Sequence, residues 1–309
     1  MDVAPSSGRP IWLYYKAFGL SIRSCFALPE LLEADNLDFD VEIQFGAVKL
    51  TLPQADDAGL RYFAAPGKLL LIVDGVARFL VLEGDKIVVE RIPGASQSDI
   101  RPFLLGPALG GLMQQREDLL FRGSVIEREG KAIAFLGPSG SGKSTLAMAF
   151  HQRGYRFVAD EHCVVRPDGV GTRLIQAGSP HISLWPDSLR KLSFAVEDLP
   201  RVRRKLQKRV VSLKEGFNSS PLPIGRIYLL RPGLTNRVEL NPLSANAAYA
   251  ALENRAQFSL VLDGLGLAPS YRQMMMVVTM HTPVKAVHRP RRKFNLEDMV
   301  SVIEADFSL

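Results

Sequence analysis

Residues 137–144 read Gly-Pro-Ser-Gly-Ser-Gly-Lys-Ser and fit GxxxxGK(S/T), the Walker A pattern, at every fixed position. The run before them, GKAIAFLG, is apolar as a buried strand requires, and the run after them, STLAMAFHQR, reads as a helix closed by Gly154. A strand that feeds a glycine loop and then a helix confines this part of the chain to an α/β design. The glycines let the backbone curl until successive N–H groups point inward, and the helix adds its positive end, so the loop is built to hold phosphate. The nucleotide-binding residues expected from this are Gly137, Ser139, Gly140, Ser141, Gly142, Lys143, Ser144 and Thr145. Lys143 would neutralise the terminal phosphates and the Ser144 hydroxyl would ligate Mg²⁺.

A catalytic carboxylate is expected one strand further on. In RGYRFVADEHCVV, Phe157, Val158 and Ala159 read as the end of a buried strand, with Asp160 and Glu161 at its carboxyl end. In a right-handed βαβ unit that strand runs parallel to the one before the loop, which brings Asp160 to the phosphate edge. Two adjacent acids can then divide the work. One would hold Mg²⁺ together with Ser144 and the other would take a proton from an attacking hydroxyl. Beyond them HCVVRPDGVGTRLIQ carries hairpin chemistry around Arg166, Pro167, Asp168 and Gly169.

The remainder of the chain sets the surroundings. Its 309 residues are 47% hydrophobic, enough for a sizeable core, and two cysteines, Cys25 and Cys163, are too few for a disulfide framework, so a reducing cytoplasm is expected. Both read as small buried hydrophobes. No membrane span is expected, since the longest apolar run is broken by Asp74, Gly75 and Arg78, and the opening MDVAPSSGRP, with an acid in place of a basic region, is not expected to act as a signal peptide. Residues 68–91 alternate in three strand-like runs, an antiparallel meander. Leu104, Ala108 and Leu112 then mark a helix, which divides a small β-rich domain (1–100) from the rest (101–309). The net charge of +6 is concentrated in RVRRKLQKR, residues 201–209. Arg204, Lys208 and Arg209 are candidate contacts for a phosphate or an acceptor; the bland alternative is a helix whose apolar side is Val202, Leu206 and Val210. The absence of aromatic interleaving argues against nucleic acid. HRPRRKF, residues 288–294, reads as surface loop and YRQMMMVVTM as a buried segment.

The stretch from FRGSVIEREGKAIAFLGPSGSGKSTL through ADEHCVV to SPHISLWPDSLRKL resembles the catalytic domain of the bacterial HPr kinase/phosphorylase and the HPr-kinase-like serine kinases, over roughly residues 100 to 309. The resemblance implies a P-loop kinase domain of the HPr kinase/phosphoenolpyruvate carboxykinase type with added antiparallel strands, and transfer of the ATP γ-phosphate to a serine hydroxyl on a protein or peptide. Asp160 falls on the first acid of the family's Asp-Asp pair, which implies that it is the general base; Glu161 replaces the second and can still bind Mg²⁺, so Ser144, Glu161 and Asp160 are the metal ligands the resemblance implies. Arg122 stands where relatives carry a histidine, which points to the forward kinase reaction and away from HPr itself. Among other acceptors the resemblance ranks ribosomally made peptides, such as lasso-peptide precursors, first, and it implies a homo-oligomer. A nucleotide-binding accessory protein without transfer activity and a small-molecule kinase are the open alternatives.

Overall fold

The computed structural model describes residues 11–35, 38–49, 60–203, 206–233, 237–253, 259–290 and 296–307. Among them eight strands come first: β1 (Leu13–Ala17), β2 (Leu20–Ser24), β3 (Leu32–Glu33), β4 (Val41–Phe45), β5 (Leu60–Ala65), β6 (Lys68–Val73), β7 (Ala77–Leu82) and β8 (Lys86–Arg91). They form one sheet in the order β3-β1-β2-β4-β8-β7-β6-β5, in which β6, β7 and β8 are the antiparallel meander. Alternation sets its faces: in β7 Ala77, Phe79 and Val81 are buried, while Arg78 reaches across to Glu90 of β8.

The helical run follows as α1 (Gln97–Phe103), a π-helical turn (Leu104–Ala108) and α2 (Leu109–Gln115). Ser96 and Asp99 close a capping box at its start. Pro102 and Pro107 each remove a backbone donor from the run, and the chain widens locally into the π turn. Leu104, Ala108 and Leu112 are buried against the first sheet, in a core that also takes in Leu120, Val164, Val261 and Leu265 from later in the chain.

The second sheet is built from β9 (Leu119–Arg128), β10 (Lys131–Leu136), β11 (Arg156–Pro167), β12 (Arg173–Gln176), β16 (Leu222–Pro232), β17 (Glu239–Pro242) and β18 (Val284–Arg289). A small third sheet holds β13 (His181–Leu184), β14 (Arg201–Arg203) and β15 (Leu206–Ser212). Helices α3 (Lys143–Gln152), α4 (Pro186–Lys191), α5 (Ala245–Glu253), α6 (Ser259–Leu265), α7 (Ala268–His281) and α8 (Leu296–Phe307) complete the chain. The second sheet runs β10-β9-β11-β12-β16-β18-β17, and β10 also pairs in parallel with β16, so the pairing closes a circuit. Both faces of β10 are covered: Ala132, Ala134 and Leu136 pack with residues of α5 and α7, Ile133 and Phe135 with residues of α3 and α8. That double burial is why the strand reads as an unbroken apolar run.

Four expectations are modified. β10 and β11 do run in the same direction, but only because each is antiparallel to β9, which lies between them. β11 does not end at Ala159. It continues through Asp160 to Pro167 with partners on both edges, and Glu161 adopts a left-handed φ of 67° without breaking the ladder. The basic run is two antiparallel strands, β14 and β15, not a helix, and within β15 period two puts Leu206, Lys208 and Val210 on one side. Finally, α7 is amphipathic: Met275 and Val278 are buried, while Met276 and Met280 are exposed. Cys163 is buried as expected, whereas Cys25 is half-buried and accepts from the Phe45 N–H.

Asp306 is one of the acids that fasten the last helix. Asp306 accepts from the Tyr228 hydroxyl at 2.6 Å and pairs with Arg226 and Lys285. Burial pushes its carboxyl up, but Lys285, Tyr228 and Arg226 outweigh this and hold it below its ordinary value of 3.8. A depressed native pKa stabilises the fold above the unfolded value and is lost as pH falls through the folded one. Asp306→Asn is therefore expected to cost about 2 kcal/mol at pH 7 and to flatten the fall in stability below about pH 4, read by urea unfolding across pH.

Candidate active site

The glycine loop sits where β10 hands over to α3, and its backbone follows the glycines. Gly140 and Gly142 have φ of 76° and 95°, the latter capping α3 in the left-handed region. A Cβ on Gly137 would lie 2.8 Å from Ser141 Oγ and 2.9 Å from the Leu230 carbonyl, so that approach requires glycine. Inside the loop the Ser141 N–H and the Lys143 ammonium both donate to the Pro138 carbonyl, at 3.1 and 2.9 Å. The Ser141 hydroxyl is buried with no hydrogen-bond partner among the described residues, a polar atom that a phosphate oxygen would satisfy. Arg289, at the end of β18, donates to the Ser141 carbonyl at 3.3 Å. Its neighbourhood is therefore a strand end against the loop, not the surface loop expected of residues 288–294; residues 291–294 lie outside the described residues.

Asp160 lies at the first turn of α3. Its Oδ1 accepts from the Ser144 hydroxyl at 2.8 Å and from Ser124, its ladder partner on β9, at 2.6 Å; its Oδ2 faces the Ser183 N–H at 3.3 Å. Ser139 lines the same cavity as Asp160, whereas the Thr145 hydroxyl turns to Ser188 of α4 at 3.0 Å. Gly123, beside Ser124, admits no side chain: a Cβ there would lie 2.3 Å from Leu136 Cδ2 and 3.0 Å from the Phe135 carbonyl. β9 can thus wedge between the two strands that carry the loop and the acid.

The two acids are set apart by their surroundings. Burial, and then the neighbouring Glu161 charge, push the Asp160 carboxyl up. Burial pushes Glu161 up too, but the Lys208 ammonium at 3.0 Å, with His162 and Arg122, outweighs it and holds that carboxyl below the usual range. The two adjacent carboxyls are thus pushed in opposite directions, Asp160 up and Glu161 down.

Of the basic run, Lys208 reaches this cluster from β15, while Arg209 faces the other side of the strand and donates to the Leu199 carbonyl at 3.0 Å. Arg204 lies outside the described residues. Arg122 stands opposite His162 in the β9–β11 ladder. Ser124 and Ser183 carry no sequence signal of their own: a serine in a strand belongs to no motif, and only the pairing of β9 with β11 and the approach of β13 bring them to Asp160.

A cavity of about 940 Å³ opens over these groups. Its walls are the loop at residues 137–139, the strand at 160–162, the hairpin β14–β15, the π turn and residues of the first sheet. Phe18, in the β1–β2 turn, packs edge-on against His162 with ring centres 6.0 Å apart, and its N–H donates to the Ala177 carbonyl. Among the described residues no group of three or more His, Cys, Asp or Glu side chains could hold a metal by itself. Two carboxylates and a hydroxyl fit Mg²⁺ only in the company of phosphate oxygens, the usual arrangement for that ion. No helix among the described residues is long and apolar enough to cross a membrane.

No family model matches the chain, and a search of curated proteins finds no match. Among solved structures the chain is similar to the Hpr(Ser) kinase/phosphatase from Coxiella burnetii, at 9% identity and a TM-score of 0.33, over 61% of this chain and 93% of that one. The likeness is distant, and what this chain does rests on its own site.

Proposed function

We propose that the chain is an ATP- and Mg²⁺-dependent phosphotransferase that moves the γ-phosphoryl group to a hydroxyl. The observation that carries this reading is the contact of the Ser144 hydroxyl with Asp160, which lines a cavity together with residues 137–139 of the glycine loop. ATP would lie on the loop amides, with Lys143 leaving Pro138 for the β and γ phosphates. Ser144, Glu161 and Asp160 would hold Mg²⁺, which would supply neutralisation of the phosphate charge. Asp160 accepts the proton of the acceptor hydroxyl as its oxygen bonds to the γ-phosphorus; the bond to the β,γ-bridging oxygen breaks and ADP leaves. Lys208 stands beside Glu161, where it can follow the charge on the transferred group. A serine on a protein or a ribosomally made peptide is one acceptor of this chemistry, and free thiols with cytosolic ATP suit a cytoplasmic enzyme.

The test is transfer of label from γ-labelled ATP to a hydroxyl acceptor, dependent on Mg²⁺. Lys143→Ala is expected to weaken nucleotide binding about thirtyfold by calorimetry, the loss of one charge-assisted contact to phosphate. Tight nucleotide binding by the wild-type chain, with neither transfer nor hydrolysis under any acceptor, would favour an accessory protein that only holds the nucleotide.

A further inference from the structure

We infer that the cavity over Asp160 takes a small organic anion with an apolar body; naming that molecule the phosphoryl acceptor rests on the transferase reading, while its binding does not. Pockets of this volume suit small molecules, and Leu31, Tyr62, Phe103 and Leu105 give the lining an apolar component. The charges in the lining do not balance. Five cations, Arg101, Arg122, Arg201, Arg203 and Lys208, face three carboxylates, Glu30, Asp160 and Glu161.

The carboxylates are already engaged. Glu30 pairs with Arg101 at 2.7 Å and Glu161 with Lys208 at 3.0 Å, and Asp160 accepts from two serine hydroxyls. No carboxylate lies within 4 Å of Arg122 or Arg203 among the described residues, Arg122 acting on Glu161 from farther off. Arg122 is exposed on β9, and the Arg203 guanidinium lies over the Phe103 ring, 5.4 Å from its centre. A guanidinium against an aromatic ring presents a planar fork of donors beside an apolar surface, which recognises a carboxylate, sulfonate or phosphate joined to a hydrophobic group. Charge and shape thus select the same class of ligand. The residues concerned come from β9, the end of α1 and β14, so the pocket exists only once the sheets are packed together.

The test uses the full chain without nucleotide and two fluorescent probes of similar size: 1-anilinonaphthalene-8-sulfonate, which is anionic, and N-phenyl-1-naphthylamine, which is neutral. The anionic probe is expected to bind saturably. Arg122→Gln and Arg203→Gln should each weaken it about tenfold, the effect of one charge-assisted contact, while the neutral probe and the near-ultraviolet circular dichroism stay unchanged. Equal loss of both probes, or no loss of the anionic one, overturns the inference. So does displacement of the anionic probe by inorganic tripolyphosphate, since the arginines would then serve the nucleotide. Because nucleotide is absent, failure of phosphoryl transfer with anionic-probe binding intact sinks the transferase reading alone.

Discussion

Replacing Asp160 by asparagine is expected to lower the rate of phosphoryl transfer about a thousandfold, within the span attributed to a general base. The substitution is conservative where it matters for folding: Asn Oδ1 can still accept from Ser124 and Ser144, which donate to the same oxygen in the native chain. What it removes is the capacity to take a proton in a site where burial already raises the affinity of Asp160 for one. Affinity for ATP without Mg²⁺ should therefore change little, and kcat at saturating Mg²⁺ should carry the loss. Labelled-ATP transfer and calorimetry on the same preparation separate the two. A variant that retains more than about a tenth of native kcat would remove Asp160 as base, because positioning and charge neutralisation would then suffice alone.

The largest effect on stability is expected from Asp118→Ala, about 4 kcal/mol. Asp118 is 1% exposed and receives both Nε and Nη2 of Arg166, at 2.7 and 2.5 Å. Burial pushes its carboxyl up and the guanidinium only partly offsets this, so the pair is held at a desolvation cost that its geometry must repay. Alanine leaves the half-buried Arg166 facing an empty, low-dielectric space. Arg166 ends β11, the strand that carries Asp160, and lies against the β1–β2 turn, where a Cβ on Gly19 would come within 3.2 Å of its Nη1. The pair therefore joins the first sheet to the strand that carries Asp160. Urea unfolding of Asp118→Ala, and of Asp118→Leu with Arg166→Met, tests this: the double variant should recover most of the loss, since no charge is then stranded. A single-variant cost below about 1 kcal/mol would mean that water reaches the pair.

The basic run shows where sequence stops deciding. Val202, Leu206 and Val210 satisfy a helix and a strand equally well, so the period cannot choose, and pairing with β13 does. The consequence is chemical. In a strand Lys208 and Arg209 point to opposite sides, and only Lys208 reaches Glu161. In α7 the methionines likewise divide between a buried and an exposed side, which composition alone does not reveal.

What the sequence by itself determined is the strand, the glycine loop and the helix around Lys143, because each is governed by residues within a few positions: backbone freedom at Gly140 and Gly142, apolar runs and the stop at Gly154. The placing of an acid near the loop was also legible, since one short α/β crossover limits where the next strand can go. Only the tertiary structure decided that β9 lies between those strands, that Ser124 holds Asp160, that Lys208 sets Glu161 apart from it, and that the first sheet helps wall the cavity. Those contacts join residues tens to more than a hundred positions apart, and their free energy comes from packed surfaces and desolvated charges that no local pattern encodes.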